Sequence, residues 1–336
     1  MRITYGVVFH SEADLLEKKI VEFDQFFPRL FFEAVFVLNS CPLEMKEKIL
    51  TISKQHPHLP LMIFEQSQNH LGQARQLILQ KASGEWIYFS DPDCELQASA
   101  QEHWLLALDS LETEKIGALG GGNRPPDQKE NLIYQMLEIA GRHPFLHQSS
   151  IQIARPQTTL KVPLLSTSNM MVQKNWAQRA GGFDHDFAKV GEDMAFCHRL
   201  RKVGATLVAV PEVEVVHRQC SELKPWFHKM LGYGRAQVRV AQSYPKHFAG
   251  MRGATYLLTL LVALAFILWP AVFLLMVGFY TLVILLLFWI KAPEHRPKFV
   301  LKIAGLFLLT QMFYALGEIV GTFLLTVETL RKKSTS

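Results

Sequence analysis

Two carboxylates follow an apolar run of the sequence, in a spacing that could bind a metal ion. Asp91 and Asp93 lie in the segment Ser90-Asp91-Pro92-Asp93, directly after the apolar residues 86–89. Two carboxylates in one tight turn can bind one hard cation, and Mg²⁺ and Mn²⁺ prefer such oxygen ligands. A cation there would stabilise the charge that develops on a diphosphate leaving group. Aspartate and proline are also ordinary turn formers after a strand, so the segment alone leaves both interpretations open.

A second acidic pair, Glu192 and Asp193, follows Gly191 and opens a segment with apolar residues at helical spacing. A carboxylate at the edge of a cleft could act as a general base that takes a proton from an acceptor hydroxyl. Acidic residues in the first turn of a helix can equally serve only to offset the helix dipole. The pattern by itself is compatible with both roles.

Two basic or titratable residues have similarly open interpretations. His217 follows the apolar run 213–216, and at the end of a strand it could be a further metal ligand or a structural histidine. Gly72 predicts a turn that opens a helix, and Arg75 in that helix could bind a phosphate or form a surface ion pair.

Short apolar runs alternate with helical patterns over the first 220 residues, and these elements must position the polar residues. The predicted strands are 3–9, 34–38, 61–64, 86–89, 116–119, 207–210 and 213–216. The predicted helices lie near 11–26, 43–55, 72–82, 97–112, 128–140 and 191–203. This alternation predicts an α/β fold with a mainly parallel sheet and helices on both faces. Ligands of such sheets bind beyond the carboxyl ends of the strands, where the acidic pairs lie.

The last third of the chain is far more apolar, which raises the mean hydropathy of the whole chain to +0.11. Residues 254–290 contain no charged residue, and residues 299–327 contain only Lys302 and Glu318. A spanning helix needs about 20 residues, and proline interrupts a helix. We therefore predict a helical hairpin over about 254–290, broken near Pro270, and a third apolar segment over about 299–327.

Basic residues precede the hairpin, and the positive-inside bias then predicts that residues 1–252 face the cytoplasm. Residues 217–252 contain one acidic residue, Glu222, and several lysines and arginines. The basic residues are Arg218, Lys224, Lys229, Arg235, Arg239, Lys246 and Arg252. The expected location is the cytoplasmic (inner) membrane, with several crossings. The basic residues 331–333 do not fit a full third crossing, so the last segment either violates the bias or lies in, or re-enters, the membrane. A basic cluster beside a membrane segment argues against nucleic-acid binding.

Aromatic and basic residues alternate over residues 225–240 at helical spacing. Trp226, Met230 and Tyr233 share one side of the predicted helix, among lysines and arginines. They could pack in a core, or they could lie in lipid headgroups as the aromatic side of an interfacial helix. The neighbouring hairpin favours the interfacial helix. The four cysteines have no metal-ligand spacing, which predicts reduced thiols.

The order and spacing of these residues resemble the family 2 glycosyltransferases, a group of inverting enzymes with the GT-A fold. The resemblance runs from about residue 3 to residue 217. The matching features are Asn69, Gly72 and Arg75, then Ala82-Ser83-Gly84-Glu85 before Asp91-Pro92-Asp93, Ser168-Asn169-Met170-Met171, Gly181-Gly182-Phe183-Asp184, Gly191-Glu192-Asp193, and Val208-Ala209-Val210-Pro211 before His217.

The resemblance implies a role for each of these residues. Asp91 and Asp93 would bind a divalent cation, Mg²⁺ or Mn²⁺, with His217 as a further metal or phosphate contact. Asp193 would be the catalytic base, and Glu192 would shape the acceptor site. The residues expected to bind the nucleotide sugar are Asn39, Asn69, Arg75, Asp91 and Asn169.

The sequence also departs from the family pattern. The first strand is followed by His10-Ser11-Glu12, and the second ends in Asn39 instead of an acidic residue, so the nucleotide base stays open. The Gln-x-x-Arg-Trp motif of processive members is absent, which predicts the addition of one sugar. The expected domains are a catalytic domain over 1–222, a basic interfacial helix over 223–252 and a membrane region over 253–330.

The predicted function is a membrane-anchored glycosyltransferase. It would move one sugar from a nucleotide-diphosphate sugar to a lipid-linked or cell-envelope glycan, with membrane lipids as further partners. Two alternatives stay open: an enzyme that glycosylates a polyprenyl phosphate, and a GT-A-like membrane scaffold without activity.

Overall fold

A computed structural model describes residues 1–11, 13–110, 115–128, 130–141, 159–244, 270–291 and 297–334. The chain divides into two compact units. The first is formed by Met1–Pro126 and His147–Gln219, and the second by Asp127–Leu146 and Cys220–Ser336.

Strands and helices alternate from the first strand to the fourth strand. In chain order the first elements are β1 (Ile3–Phe9), α1 (Ala13–Phe26), β2 (Glu33–Asn39), α2 (Leu43–Gln55), β3 (Leu61–Gln66), α3 (Leu71–Lys81), β4 (Trp86–Ser90), β5 (Cys94–Leu96) and α4 (Ala100–Ser110). The following elements are β6 (Ile116–Gly120), β7 (Asn123–Arg124), α5 (Leu132–Gly141), β8 (Leu160–Lys161), β9 (Asn169–Gln173), α6 (Lys174–Arg179), α7 (Glu192–Lys202), β10 (Thr206–Ala209) and β11 (Val215–His217). Three helices end the described chain: α8 (Leu223–Ser243), α9 (Pro270–Lys291) and α10 (Pro297–Ser334).

The first unit is built on an eight-stranded sheet in the order β3-β2-β1-β4-β9-β6-β10-β8. Neighbouring strands from β3 to β4 are parallel, and β9 is antiparallel to both β4 and β6. A small second sheet joins β5, β11 and β7, with β11 antiparallel to β5. Strand β5 of this sheet begins at Cys94, soon after β4 ends at Ser90. The turn that contains Asp91 and Asp93 therefore connects the large sheet to the small one.

Helices cover both faces of the large sheet, which is why its inner strands are continuous apolar runs. On one face, Tyr5 and Phe36 pack with Trp104 of α4 and with apolar residues of α1 and α2. On the other face, Phe89 packs with Ile78 of α3 and Phe196 of α7. The predicted α/β class, with a mainly parallel sheet, is confirmed.

One central strand differs from the sequence prediction. The segment of β9, Asn169–Gln173, is buried and pairs with β4 on one side and β6 on the other. It is only five residues long. A short apolar run carries no period by which a strand can be told from a helix or a buried loop.

The second unit is helical, with α5 and α8 packed against the 38-residue helix α10. The backbones of α8 and α10 approach closely at Gly317, where an added Cβ would overlap the Leu231 carbonyl. Only a glycine permits this contact, because any side chain would push the two helices apart.

Two residues of the apolar stripe of α8, Trp226 and Met230, face protein and not solvent. Trp226 and Met230 are fully buried, and the indole Nε1 of Trp226 donates to Thr310 Oγ1 of α10 at 3.0 Å. The expectation that this stripe lies in headgroups is therefore wrong for Trp226 and Met230, because both side chains are buried within the protein. The basic side chains of Lys224, Arg235 and Arg239 on the same helix are exposed.

The apolar C-terminal segments form long helices. Of the described residues, only Pro297–Arg331 is long and apolar enough to cross a membrane, and Leu274–Ile290 is a shorter apolar helix. The predicted third segment, 299–327, lies within α10, and the second leg of the hairpin corresponds to α9. The first leg, 254–269, lies outside the described residues, so the hairpin and its several crossings stay predictions.

Candidate active site

The turn after β4 holds Asp91 and Asp93 in a fixed backbone conformation. The amide of Cys94 donates to the Asp91 carbonyl at 3.1 Å, and the amide of Arg218 donates to the Asp93 carbonyl at 2.8 Å. Because Arg218 directly follows β11, the small second sheet fixes the turn from outside. Both carboxylates are partly exposed, so they are accessible to a ligand.

His217 lies beside these carboxylates because β11 pairs with β5. It is the register partner of Cys94, and its Nε2 is 3.3 Å from Asp93 Oδ2. One ligand atom from each of Asp91, Asp93, Cys94 and His217 lies within 4.8 Å of the others. The three residues predicted as metal ligands are therefore brought together, although His217 is more than 120 residues beyond Asp93 in sequence.

The donor set fits a divalent cation such as Mg²⁺ or Mn²⁺. Asp91 and Asp93 offer carboxylate oxygens, and His217 offers an imidazole nitrogen. Cys94 is the unexpected fourth member of the cluster. Burial raises the pKa of the Cys94 thiol well above its ordinary value, and Asp93 and Asp91 raise it further. The thiol therefore stays protonated in the metal-free protein, and Mg²⁺ or Mn²⁺ prefers the carboxylate oxygens beside it.

Lys19 of α1 donates hydrogen bonds to residues on both sides of this turn. It was not identified from the sequence. It is 2% exposed, and its Nζ donates to Glu22 Oε1 at 2.8 Å, to Ser90 Oγ at 3.3 Å and to the Cys94 carbonyl. In the sequence it is one of two adjacent lysines in a helix of mixed charge, so no pattern marks it as buried.

Arg75 connects the turn to the second acidic pair. Its Nη2 donates to Asp91 Oδ1 at 2.7 Å, and its Nη1 donates to Glu192 Oε1. The side chain is buried at 3% exposure, which excludes the surface ion pair left open by the sequence. Both ends of the guanidinium are engaged by carboxylates, so the described contacts give Arg75 a positioning role between β4 and α7.

Gly72 lets α3 start close to the loop that precedes α7. A Cβ at this residue would lie 2.9 Å from the carbonyl oxygens of both Asp184 and Phe187. The amide of Leu71 donates to the Ala188 carbonyl at 2.6 Å across the same contact. This close approach sets the distance that Arg75 then bridges to Glu192.

Glu192 is buried, at 4% exposure, at the first position of α7. Burial raises the pKa of its carboxyl to about 7, Arg75 opposes this rise, and Asp193 and Asp91 add to it. Its Oε2 is buried and has no hydrogen-bond partner among the described residues. A carboxyl of this kind still holds its proton in about half of the metal-free molecules at pH 7.

Asp193 is the second residue of α7 and is buried at 5% exposure. Its Oδ1 accepts a hydrogen bond from the Met194 amide at 2.7 Å. It lies near enough to Arg75 and Glu192 to influence the pKa of both. The α7 N-terminus therefore brings the predicted base into the same charge network as Arg75 and Asp91.

Asn39 organises a polar cluster at the carboxyl ends of β1, β2 and β3. Its Oδ1 accepts from Gln66 Nε2 and from the His70 amide, both at 2.9 Å, and its Nδ2 donates to Asn69 Oδ1 at 3.3 Å. The His10 ring contacts the Asn39 carbonyl and the Asn69 amide, at 2.8 and 3.1 Å. His10 and Gln66 were not identified from the sequence, because isolated polar residues at strand ends carry no spacing signal.

Asn169 begins β9 and is 1% exposed. Its Oδ1 accepts from the Tyr88 hydroxyl at 3.0 Å, and its Nδ2 donates to the Val213 carbonyl at 2.6 Å. Because both ends of the amide are engaged by protein, these contacts favour a role in holding β9 beside β4. Direct binding of a nucleotide sugar by Asn39, Asn69 and Asn169 stays a prediction.

Solved structures with the same fold are glycosyltransferases. The mannosyltransferase PcManGT from Pyrobaculum calidifontis, in complex with GDP-Man and Mn²⁺, is similar over 93% of this chain and 86% of its own, at 17% identity and a TM-score of 0.61. GalNAc-T7 with UDP, GalNAc and Mn²⁺ is similar over 72% of this chain and 48% of its own, at 14% identity and a TM-score of 0.51. S. aureus TarS 1-349 in complex with UDP-GlcNAc is similar over 95% of this chain and 90% of its own, at 13% identity and a TM-score of 0.50.

These structural similarities confirm the predicted GT-A fold. A comparison with curated proteins finds no match. The model of the family described as glycosyl transferase family group 2 matches residues 128–316, more than half of the chain. The matched residues include Glu192, Asp193 and His217 and extend into α10. The chain therefore belongs to glycosyl transferase family group 2, and the predicted enzyme class, a glycosyltransferase, is confirmed.

Proposed function

We propose that this glycosyltransferase moves one sugar, with inversion, from a nucleotide-diphosphate sugar to a hydroxyl of a lipid-linked or cell-envelope glycan. The observation that carries the proposal is the bridge from Asp91 through Arg75 to Glu192. It joins the predicted diphosphate site to Glu192, which is adjacent to the predicted base Asp193. The sugar carbon would react between these two sites.

The donor would bind at the carboxyl ends of the strands. Asp91, Asp93 and His217 would hold a divalent cation, which supplies positive charge to the departing diphosphate. Solved structures of similar fold contain GDP-Man with Mn²⁺, or UDP with Mn²⁺, which supports this assignment. The polar cluster around Asn39 would face the nucleoside, because it lies at the ends of the three adjoining parallel strands.

Asp193 would act as the general base. Burial raises the pKa of the Glu192 carboxyl to about 7, and this carboxyl is paired with Arg75, so we assign the base role to its neighbour Asp193. Asp193 would remove the proton from the acceptor hydroxyl as that oxygen attacks the anomeric carbon, opposite the bond that breaks to the diphosphate.

The variant Asp193→Asn tests this assignment, because an amide cannot accept the proton. We expect sugar transfer to a hydroxyl acceptor to fall by about 10²–10⁴-fold. Donor binding should persist, measured as a rise in unfolding temperature with a nucleotide diphosphate and Mn²⁺. The matched control is Asp109→Asn, which removes the same charge from an exposed residue of α4.

Transfer by Asp193→Asn at nearly the wild-type rate would contradict the base assignment. If that retained transfer were to a polyprenyl phosphate, it would support the alternative in which the acceptor needs no deprotonation. Absence of donor hydrolysis and of nucleotide binding in the wild-type protein would instead support a scaffold without activity.

The second unit would attach the enzyme to a lipid bilayer. Large apolar side chains of α9 and α10 are exposed, among them Leu275, Phe279, Ile319 and Phe323, at 67–73%. α8 packs along α10 and carries exposed basic side chains, which suit the level of anionic headgroups. This pairing favours an interfacial position for the part of α10 that contacts α8.

A further inference from the structure

Three potential metal ligands from two segments converge at a place that the proposed reaction does not use. Asp24 lies in the last two turns of α1, and His56 and His58 lie in the connection between α2 and β3. His58 Nε2 is 3.0 Å from Asp24 Oδ1, and His56 Nδ1 is 3.8 Å from Asp24 Oδ2. One ligand atom from each of the three residues lies within 4.8 Å of the others.

These spacings suit a tetrahedral metal ion. Zn²⁺ binds imidazole nitrogen and carboxylate oxygen at about 2.0–2.2 Å, which places its ligand atoms roughly 3.3 Å from one another. The separations of 3.0 and 3.8 Å lie on either side of that value. Two imidazoles and one carboxylate leave a fourth position for water, and this donor set suits zinc-class transition ions better than Mg²⁺.

The backbone around the two histidines is already ordered. The amide of His56 donates to the Ser53 carbonyl at 3.2 Å, and the amide of Leu59 donates to the His56 carbonyl at 3.1 Å. The side chains are partly exposed, at 23% for His56, 57% for His58 and 39% for Asp24, so an ion can reach them from solvent. Binding would therefore need adjustment of side chains and little rearrangement of backbone.

The position of Asp24 gives a separate electrostatic reason for a cation. A carboxylate near the C-terminal end of a helix opposes the helix dipole, and α1 has no basic residue in its last turn. A divalent ion bound by Asp24 would offset both the carboxylate and the dipole. It would also connect α1 to the segment that leads into β3.

This cluster is distinct from the active site. His56 and His58 precede β3, whereas Asp91 follows β4, and both strands run in the same direction in one sheet. The cluster therefore lies at the amino ends of the parallel strands, and the active site lies at their carboxyl ends. A strand of six residues, such as β3, is roughly 20 Å long from one end to the other.

We propose that Asp24, His56 and His58 form a second metal site, which binds a zinc-class divalent transition ion and connects α1 to the α2–β3 segment. The ion has a structural role, because no reactive group of the proposed active site lies beside it. Without an ion, the contact between imidazole and carboxylate among these three described residues is the one hydrogen bond of 3.0 Å between His58 Nε2 and Asp24 Oδ1.

Zinc titration of the full-length protein after chelator treatment tests the proposal. Wild-type protein should bind one more equivalent of Zn²⁺ than His58→Gln, and its unfolding temperature should rise with Zn²⁺ by more than that of the variant. Glutamine keeps an N–H donor for Asp24 but removes the imidazole ligand. We expect the affinity of this site to fall at least about tenfold, and basal transferase activity to be unchanged.

Two controls separate this site from other zinc binding. His103→Ala removes a histidine of α4 outside the cluster and should bind Zn²⁺ as the wild type does. Asp93→Asn should lose an equivalent from the active site but keep the stabilisation that depends on His58. Equal zinc stoichiometry and equal stabilisation in wild type and His58→Gln would overturn the proposal.

Discussion

Glu192 illustrates how burial decides the state of a single side chain in this site. Its carboxyl is next to that of Asp193 and close to that of Asp91. It is paired with the guanidinium of Arg75, which also contacts Asp91. Arg75 compensates part of the negative charge but not all of it. The least costly arrangement keeps a proton on the most buried carboxyl, which is Glu192, until the pH reaches about 7.

This raised pKa predicts a pH dependence of stability. In the unfolded chain Glu192 loses its proton near the ordinary value of 4.5, whereas in the folded protein it keeps the proton up to about pH 7. Between these values the folded state binds more protons, so the free energy of unfolding falls as the pH rises. Glu192→Gln should remove this fall in the free energy of unfolding, which is on the order of a few kcal/mol.

Urea unfolding between pH 4.5 and 7.5, with chelator present, measures the effect. The control Glu212→Gln changes an exposed carboxylate and should keep the wild-type slope. A slope that is the same in wild type and in Glu192→Gln would contradict the assigned burial effect. The sequence alone supports only the choice of Glu192 and Asp193 as a pair, because burial and the Arg75 contact arise from tertiary packing.

At the level of elements, the predictable parts are those with strong local patterns. The strand predicted over 3–9 has the observed bounds Ile3–Phe9, since a continuous apolar run indicates a strand buried on both faces. The helix predicted over 43–55 also coincides with α2. In contrast, β5 and β7 are three and two residues long, too short for any pattern, although β5 and its partner β11 carry the cluster around Asp93.

The dependence of the metal-binding turn on α1 leads to a prediction for Lys19→Met. Methionine fills similar volume but leaves the Cys94 carbonyl and one Glu22 contact without the ammonium group. We expect the free energy of unfolding to fall by about 1–3 kcal/mol, because buried acceptors lose a partner. The Mn²⁺ concentration needed for half-maximal activity should rise, because the turn loses its support.

The neighbouring Lys18→Met is the matched control, since Lys18 is exposed on the same helix. It removes the same charge and should leave the Mn²⁺ dependence of activity nearly unchanged. A loss of stability in Lys19→Met without any change in Mn²⁺ dependence would mean that Lys19 supports the fold and not the metal-binding turn.

At the level of the whole molecule, the two units differ in what their surfaces expose. The sheet-containing unit buries its apolar residues on both faces of the sheet, whereas α9 and α10 leave many large apolar side chains uncovered. Composition made the apolar character of 254–327 predictable. It could not reveal that Trp226 and Met230 are buried, because apolar residues at helical spacing suit a core and a membrane surface equally.

Membrane attachment through α10 predicts a loss of vesicle binding in the double variant Ile319→Ser with Phe323→Ser. Each side chain is 67% exposed, and each large apolar residue placed in lipid contributes about 1.5–3 kcal/mol. Binding to phosphatidylglycerol vesicles, measured by flotation, should weaken at least about tenfold. The control pair Leu43→Ser with Leu106→Ser changes exposed leucines of α2 and α4 and should bind as the wild type does. Equal flotation of both double variants would contradict the proposed attachment.

The central position of β9 has a consequence for biosynthesis. Tyr88 of β4 and Asn169 of β9 are hydrogen-bonded but lie 81 residues apart, so β4 emerges from the ribosome long before its partner. Until then one edge of an apolar strand has unpaired backbone groups, a state that promotes association between chains. Nascent chains that stop between these strands should therefore depend on chaperones, and should become independent of them once β9 is available.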